Sequence, residues 1–108
     1  MNYRKVTAIV NRTALEAVEG ALRRMDGIGV NVSLVRGFGE YADFYERDWM
    51  TNHLRVEVFT TEGRAQAVAR TIMDAAHTGQ EDDGIVAVLP VLELYSIRTR
   101  SLVETPTT

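Results

Sequence analysis

The chain has 108 residues, a formal net charge of −3 and no cysteine, so we expect one domain over residues 1–108 without disulfides, Cys-ligated zinc or thiol chemistry. A quarter of the residues are charged and no strongly basic stretch occurs, which argues against nucleic acid as a partner. There is no signal-peptide core, and no apolar run approaches the roughly 20 residues that span a bilayer, so we expect a cytoplasmic protein without direct membrane insertion.

The first part of the chain predicts a strand followed by an amphipathic helix. Apolar and polar side chains alternate over residues 3–10, and β-branched residues are frequent there, which is typical of a strand. Asn11 is suited to cap a helix from residue 12 to about 25, in which apolar residues recur every three or four positions. Asp26-Gly27 provides a stop, because glycine readily takes the left-handed conformation after a helix.

Two further strands and a second helix are predicted in the middle of the chain. Residues 30–36 and residues 54–59 both alternate apolar with polar side chains, as half-buried strands do. A helix is predicted from about residue 63 to 76, with its apolar positions facing inward. Thr60 and Thr61 precede it and offer a cap.

A polar and aromatic segment separates the second and third strands. Gly37-Phe38-Gly39 opens it and residues 41–52 follow. Loops longer than about 12 residues inside compact domains are usually functional or disordered, whereas the alternative here is a long hairpin with a glycine bulge.

The last part of the chain predicts a turn and a final strand. Residues 77–84 are polar and contain two glycines, and residues 85–94 are almost continuously apolar, which predicts a strand buried on both faces. Pro90 predicts a bulge or break in that strand. Residues 95–100 continue it with polar side chains, and residues 101–108 read as a frayed tail.

The element order is therefore β-α-β-β-α-β. Two helices with one apolar face each cover one side of a four-stranded antiparallel sheet, which is the ferredoxin-like sandwich of the α+β class. The uncovered face is expected to expose Val, Leu and Ile, and an exposed apolar face usually indicates a partner subunit.

Short motifs at particular places on these elements carry a resemblance to a known family. They are Gly37-Phe38-Gly39 after the second strand, Thr78-Gly79 with Asp83-Gly84 after the second helix, and Ile97-Arg98-Thr99 near the end. In this order the chain, over residues 3–100, resembles a divergent PII signal-transduction (nitrogen regulatory protein PII-like) protein with a shortened long loop. The resemblance implies a homotrimeric, non-enzymatic regulator that binds a small molecule.

The resemblance also implies where an adenine nucleotide would bind, in clefts between adjacent subunits. The implied nucleotide-binding residues lie on the strands, at the base of the long loop, in the glycine turn and after the last strand: Ile9, Asn31, Gly37, Phe38, Gly39, Phe59, Thr78, Gly79, Gly84 and Arg98. Phe59 would lie near the adenine, the glycine turn would approach phosphates through backbone N–H groups, and Arg98 would supply a guanidinium.

The long loop, called the T-loop in that family, is the implied partner-binding segment. Its aromatic and basic candidates are Tyr41, Phe44, Tyr45, Arg47 and Trp49. Aromatic residues dominate interface hot spots, although they can equally fold back on their own subunit. The target protein would be a membrane transporter or a metabolic enzyme, and the sequence does not choose between them.

The chain departs from the family pattern where cations would meet phosphates. The family's glycine turn has a third glycine and ends in lysine, whereas this chain has Asp82 and Ile85 at those places. Ser96 replaces the first arginine of an Arg-x-Arg motif, and Glu40 follows the Gly-Phe-Gly turn. A triphosphate is disfavoured among these carboxylates unless a metal ion such as magnesium joins it, so the expected ligand is AMP or ADP rather than ATP.

Two other functions remain open from the sequence. One is a metal-binding or small-anion-binding ferredoxin-like regulator, in which His53 and His77 with nearby carboxylates would be the metal ligands. A lone histidine at a strand or helix end is more often an ordinary polar residue, and the acidic turn lacks the spacing of a calcium loop. A small ferredoxin-like enzyme would need a deep pocket with a buried histidine or carboxylate. No Ser/His/Asp, paired-carboxylate or Cys/His constellation is present, so we predict no catalytic residue and no dedicated metal site.

Overall fold

The computed structural model describes residues 3–25, 29–34 and 53–103. Its strands and helices, in chain order, are β1 (Tyr3–Asn11), α1 (Leu15–Arg23), β2 (Val30–Leu34), β3 (His53–Thr61), α2 (Glu62–Ala76), β4 (Gly84–Val91), β5 (Tyr95–Ser96) and β6 (Ser101–Leu102).

The first four strands form one antiparallel sheet in the order β2-β3-β1-β4. β1 lies in the middle and pairs with β3 from Tyr3↔Thr61 to Asn11↔His53, and with β4 from Tyr3↔Val91 to Val10↔Gly84. The two helices pack on one face of this sheet. The predicted α+β ferredoxin-like architecture is confirmed.

The core lies between that sheet face and the helices. It is formed by alternate residues of β1 and β3 and by one stripe of each helix: Val6, Ala8, Val10, Val18, Leu22, Val56, Val58, Ala65, Val68, Ala69, Ile72 and Ala76. Full burial of a valine, leucine or isoleucine side chain contributes roughly 1.5–3 kcal/mol. The period of two in the strands and of three to four in the helices therefore decides which face each element buries.

The first helix differs at both ends from the prediction. Asn11 caps as expected, because its Oδ1 accepts a hydrogen bond from the N–H of Thr13 at 3.0 Å, but the turn that it caps is a 3-10 turn over Arg12–Ala14. The α-helix then runs only to Arg23, and the N–H of Met25 donates to the Leu22 carbonyl at 3.0 Å. The predicted stop at Asp26-Gly27 lies outside the described residues.

The threonine cap predicted for the second helix is wrong. Thr61 occupies the N-cap position but makes no side-chain capping hydrogen bond, and Thr60 is buried at the end of β3. Instead Glu62 begins the helix, where a carboxylate is favoured by the helix dipole, and its Oε2 lies 3.1 Å from the Arg4 guanidinium.

The prediction that residues 85–94 form a strand buried on both faces is also wrong. β4 lies at the edge of the sheet, and its Val88 and Leu89 are 45% and 41% exposed. The register with β1 runs without a bulge through Arg4↔Pro90, but β4 ends at the next residue, Val91, so the predicted break near Pro90 is confirmed and the predicted bulge is wrong. An edge strand tolerates proline because one side of it needs no donor.

The segment after β4 forms a hairpin rather than a continued strand and a frayed tail. β5 and β6 pair through Tyr95↔Leu102 and Ser96↔Ser101, and the Val103 N–H donates to the Leu94 carbonyl at 2.8 Å. The turn between them ends at Arg100, which has a positive φ of 56°. The part of the predicted tail after residue 103 lies outside the described residues.

The sheet face opposite the helices is only partly apolar. Phe59 and Leu89 are 44% and 41% exposed. The middle of this face is charged, because the Lys5 ammonium lies 2.8 Å from the Glu57 carboxylate and Arg55 lies 3.9 Å from it. The expected exposure of Val, Leu and Ile on this face therefore holds for Leu89 of β4 and not for the centre of the face.

Replacing Gly20 by alanine should stabilise the protein. Gly20 lies inside α1, and an added Cβ would meet no atom within 4 Å, so the change should raise the free energy of unfolding by about 0.5–1 kcal/mol. Gly79 is the matched control, since its surroundings are equally open but its φ is +91°. Urea unfolding should show a loss of about 1–2 kcal/mol for Gly79→Ala; a loss for Gly20→Ala would contradict the reasoning.

Candidate functional site

A cavity of about 220 Å³ opens where β1, β4 and the end of α2 meet. Ile9 and Val10 contribute to it from β1, opposite Ile85 and Gly84 of β4. The complete lining is Ile9, Val10, Met73, Ala76, His77, Asp83, Gly84, Ile85 and Val86. Most of these side chains are apolar, and the polar ones come from the turn between α2 and β4.

That turn is held together by the carboxylate of Asp83. Its Oδ2 accepts hydrogen bonds from the N–H groups of Thr78 and Gly79, at 2.8 and 2.9 Å, and its Oδ1 accepts the Thr78 hydroxyl. The Gln80 N–H donates to the Thr78 Oγ, and the Asp83 N–H donates to the Gln80 carbonyl, both at 3.2 Å. Two positive-φ glycines, Gly79 at 91° and Gly84 at 109°, bound this network.

These contacts lower the pKa of Asp83 below the ordinary aspartate value of 3.8. The hydroxyl and the N–H of Thr78 are the main causes, and the Gly79 N–H and the nearby His77 add to them. His77 Nδ1 lies 3.8 Å from the Asp83 Oδ2, and its side chain is 74% exposed. The turn therefore favours an ionised Asp83.

Neutralising Asp83 should destabilise the protein only where the carboxylate is ionised. Because its pKa is lowered in the folded state, its contribution is present above the ordinary aspartate value and is lost as the pH falls through the lower folded-state value. Asp83→Asn should lower the free energy of unfolding by on the order of 1 kcal/mol at neutral pH, and the difference from the unmodified chain should shrink in acid.

Urea unfolding at about pH 7 and at about pH 3 measures this dependence. Asp74→Asn is the control, since Asp74 is exposed on α2. An Asp83→Asn effect of the same size at both pH values would contradict a charge-dependent role.

The hairpin that carries Arg98 lies at the opposite end of the sheet from this cavity. Leu102 and Val103 line a second cavity together with Tyr3 and Val91, whereas the first cavity contains Val10 and Gly84. Seven residue steps of β1 separate these two levels, about 23 Å at the usual rise. Arg98 is exposed in the hairpin turn, so the cavity and Arg98 of one chain lie far apart.

The other predicted nucleotide-binding residues are distributed as follows. Thr78 and Gly79 lie in the turn beside the cavity that contains Ile9 and Gly84. Phe59 and Asn31 are exposed on the sheet face away from the helices, where Asn31 opposes Glu57. Gly37, Phe38 and Gly39 lie outside the described residues, as do the loop candidates Tyr41, Phe44, Tyr45, Arg47 and Trp49.

Within residues 3–25, 29–34 and 53–103, no three histidine, aspartate or glutamate side chains come together in a way that could hold a metal ion. In the same part of the chain, neither helix has the length and apolar character needed to cross a bilayer.

Asp83 and Met73 line the cavity but were not among the predicted nucleotide-binding residues. A threonine and an aspartate that flank a glycine turn often bond to its backbone, and this signal was available in Thr78 and Asp83. Met73 gave no comparable signal, because a methionine in an amphipathic helix usually packs in the core.

Comparison with known proteins identifies the family to which this arrangement belongs. The family model described as Nitrogen regulatory protein P-II matches residues 3–101. The chain belongs to the P-II family. This match covers the four-stranded sheet, both helices, the glycine turn and most of the hairpin, so the predicted family resemblance is confirmed.

Individual P-II proteins are similar over most of the chain. The nitrogen regulatory protein P-II of Synechocystis sp. is 33% identical, over 89% of this chain and 92% of the relative. The P-II homologue of Arabidopsis thaliana is 33% identical over 90% of this chain but 54% of its own length, so this chain spans about half of that plant relative. The rice homologue gives the same picture, with 31% identity and 50% of its length.

A solved P-II structure has the same fold. The crystal structure of Arabidopsis thaliana PII bound to citrate superposes with a TM-score of 0.77 and 34% sequence identity, covering 95% of this chain and 90% of that chain. P-II proteins are named for nitrogen regulation, and the protein is therefore a member of a regulatory signalling family.

Proposed function

We propose that the protein is a homotrimeric, non-enzymatic P-II regulator that binds a small adenine nucleotide between subunits. Binding would act through the long loop over residues 41–52 to switch a target protein, which is a membrane transporter or a metabolic enzyme. The nucleotide is an effector and no cofactor is obligatory, with magnesium accompanying the more highly charged ligands.

The distance between the cavity and Arg98 within one chain is the observation that supports a site between subunits. One end of β1 borders the cavity and the other end borders the hairpin, so one chain cannot present both to the same small nucleotide. A neighbouring copy can bring its hairpin to the cavity, and the site is then complete only in the oligomer. This arrangement agrees with the partly apolar β4 side of the sheet, which a second copy would cover.

The charge of the described site favours few phosphates. Ile85 lines the cavity where the family motif has a lysine, and Ser96 lies at the start of the hairpin where that motif has an arginine. Each missing cation removes a charge-assisted hydrogen bond of roughly 1.5–3 kcal/mol. We therefore propose that ATP loses most of its advantage over AMP and ADP.

A small organic anion is the second candidate ligand. The observation that favours it is the relative that was solved with citrate at 34% identity to this chain. In this chain the apolar walls of the cavity and Arg98 would have to hold such an anion without the lysine at position 85.

A thermal-shift screen tests the ligand class, because a ligand that binds only the folded state raises the melting temperature. AMP, ADP and ATP with magnesium, citrate, bicarbonate and divalent metal ions alone form the panel. Stabilisation by AMP or ADP that is lost in Arg98→Ala would support the proposal. Arg70→Ala, at an exposed position on α2, is the matched control. A response to citrate or to metal ions alone would favour the alternatives.

The trimer makes a separate prediction. Light scattering on the purified chain should give about three times the chain mass of 12.1 kDa, because the site needs a neighbouring copy and the P-II resemblance implies a closed ring of three. A monomer at micromolar concentration would contradict both the trimer and the intersubunit site.

A further inference from the structure

The carboxylate of Asp83 lies where the glycine turn would otherwise hold an external anion. Two successive N–H groups, from Thr78 and Gly79, point at its Oδ2 at 2.8 and 2.9 Å, and the Thr78 hydroxyl donates to Oδ1. Successive backbone N–H groups that converge in this way form a concavity that binds anions. In this chain the anion is part of the same turn.

We propose that Asp83 is a positioning and specificity-determining residue whose carboxylate occupies this anion-binding turn as a built-in ligand. It shapes the turn that borders the cavity and closes the Thr78 and Gly79 N–H groups to phosphates from outside. The effect of Asp83 on which ligand the cavity accepts rests on the proposed nucleotide function. The occupation of the turn by the Asp83 carboxylate does not rest on it.

Competition explains why an external anion would not displace this carboxylate. The side chain is tethered four and five residues from its donors, so its effective concentration at the turn is high. A phosphate that approached the turn would also meet the negative charge of Asp83 at short range. The N–H groups at 78 and 79 are therefore structural, and a ligand's phosphates must be bound elsewhere in the site.

The apolar lining of the cavity agrees with this division of roles. Ile9, Met73 and Ile85 lie next to the closed turn, and they suit an uncharged part of a ligand better than a phosphate. The ordinary function of the turn would then be to form a rigid wall beside that uncharged part.

Removing the carboxylate should open the turn to small anions. Asp83→Gly leaves the Thr78 and Gly79 N–H groups without their acceptor, and inorganic phosphate and acetate are the probes. We expect saturable shifts of the Thr78 and Gly79 amide signals by NMR in the variant, a rise in its melting temperature with acetate, and phosphate binding at least about tenfold tighter than in the unmodified chain.

Controls separate this role from a general loss of stability. Asp83→Asn keeps the shape of the side chain but removes its charge. In this variant phosphate should again shift the Thr78 and Gly79 amide signals, more weakly than in the glycine variant. If the glycine variant does not fold, the result for Asp83→Asn decides the test. Asp74→Asn should behave as the unmodified chain does.

Two results would overturn the proposal. In the first, phosphate shifts the Thr78 and Gly79 amide signals of the unmodified chain as strongly as those of the variants. In the second, neither variant binds phosphate or acetate more tightly than the unmodified chain does. The probes contain no nucleotide, so a failure of the proposed nucleotide function would appear separately, as absent AMP and ADP binding in the unmodified chain.

Discussion

Restoring two cations should give this protein a strong preference for ATP. In the double variant Ile85→Lys with Ser96→Arg, a lysine projects from β4 beside the cavity and an arginine from the hairpin that carries Arg98. Each new charge-assisted contact contributes roughly 1.5–3 kcal/mol. The affinity for ATP with magnesium should therefore rise by about 100-fold or more, while the affinity for AMP changes far less because AMP lacks the terminal phosphates.

Calorimetry on the double variant and on a matched control measures this effect. Ile85→Leu with Ser96→Ala changes the same positions without adding charge, and should leave the ratio of ATP to AMP affinity as it is in the unmodified chain. An equal gain for AMP and ATP would show that the new cations do not reach the terminal phosphates, and the assignment of positions 85 and 96 would then be wrong.

Truncating Ile72 should cause a large loss of stability. Ile72 lies on α2, and its fully buried side chain belongs to the core cluster between the helices and the sheet. Ile72→Ala should lower the free energy of unfolding by about 2–5 kcal/mol, and Ile72→Val by about 0.5–1.5 kcal/mol, because a larger cavity costs more.

Urea unfolding at one protein concentration measures both variants, since association would make the apparent stability depend on concentration. A graded loss from valine to alanine is expected. A cost below about 1 kcal/mol for Ile72→Ala would mean that the core is not centred between α2 and the sheet.

The element types and the buried faces were predictable because local periodicity determines them. In β1, the core residues Val6, Ala8 and Val10 alternate with residues on the opposite face of the sheet. In α1, Val18 and Leu22 are four residues apart and therefore lie on one face of the helix, which faces the same core. A strand that slipped by one residue would expose this whole set, so the pattern carries strong information.

The errors lie where tertiary position decides the outcome. The apolar composition of residues 85–94 indicates a fully buried strand, but the sheet order places β4 at an edge, and local sequence does not encode which strand lies at the edge. Pro90 is compatible with that edge and needs no bulge. The β5–β6 hairpin was missed because its strands are two residues each and its turn ends at Arg100 rather than at glycine.

The candidate site was predictable only in part for the same reason. The motif Thr78-Gly79 with Asp83-Gly84 locates the turn and signals local bonding of Asp83 to its backbone, but it does not show that the Thr78 and Gly79 N–H groups both donate to one carboxylate oxygen. Nor does the sequence show that Arg98 and the cavity lie at opposite ends of the sheet, since this follows from the register of β1 with β4.

Calorimetry of the unmodified chain with AMP, ADP and ATP in magnesium tests the central claim most directly, that this P-II protein is a sensor of adenine nucleotides with few phosphates. We expect saturable binding of AMP or ADP at one site per chain, with ATP no more than a few-fold tighter than AMP. ATP binding tenfold or more tighter than AMP, or no binding of any of the three, would contradict it.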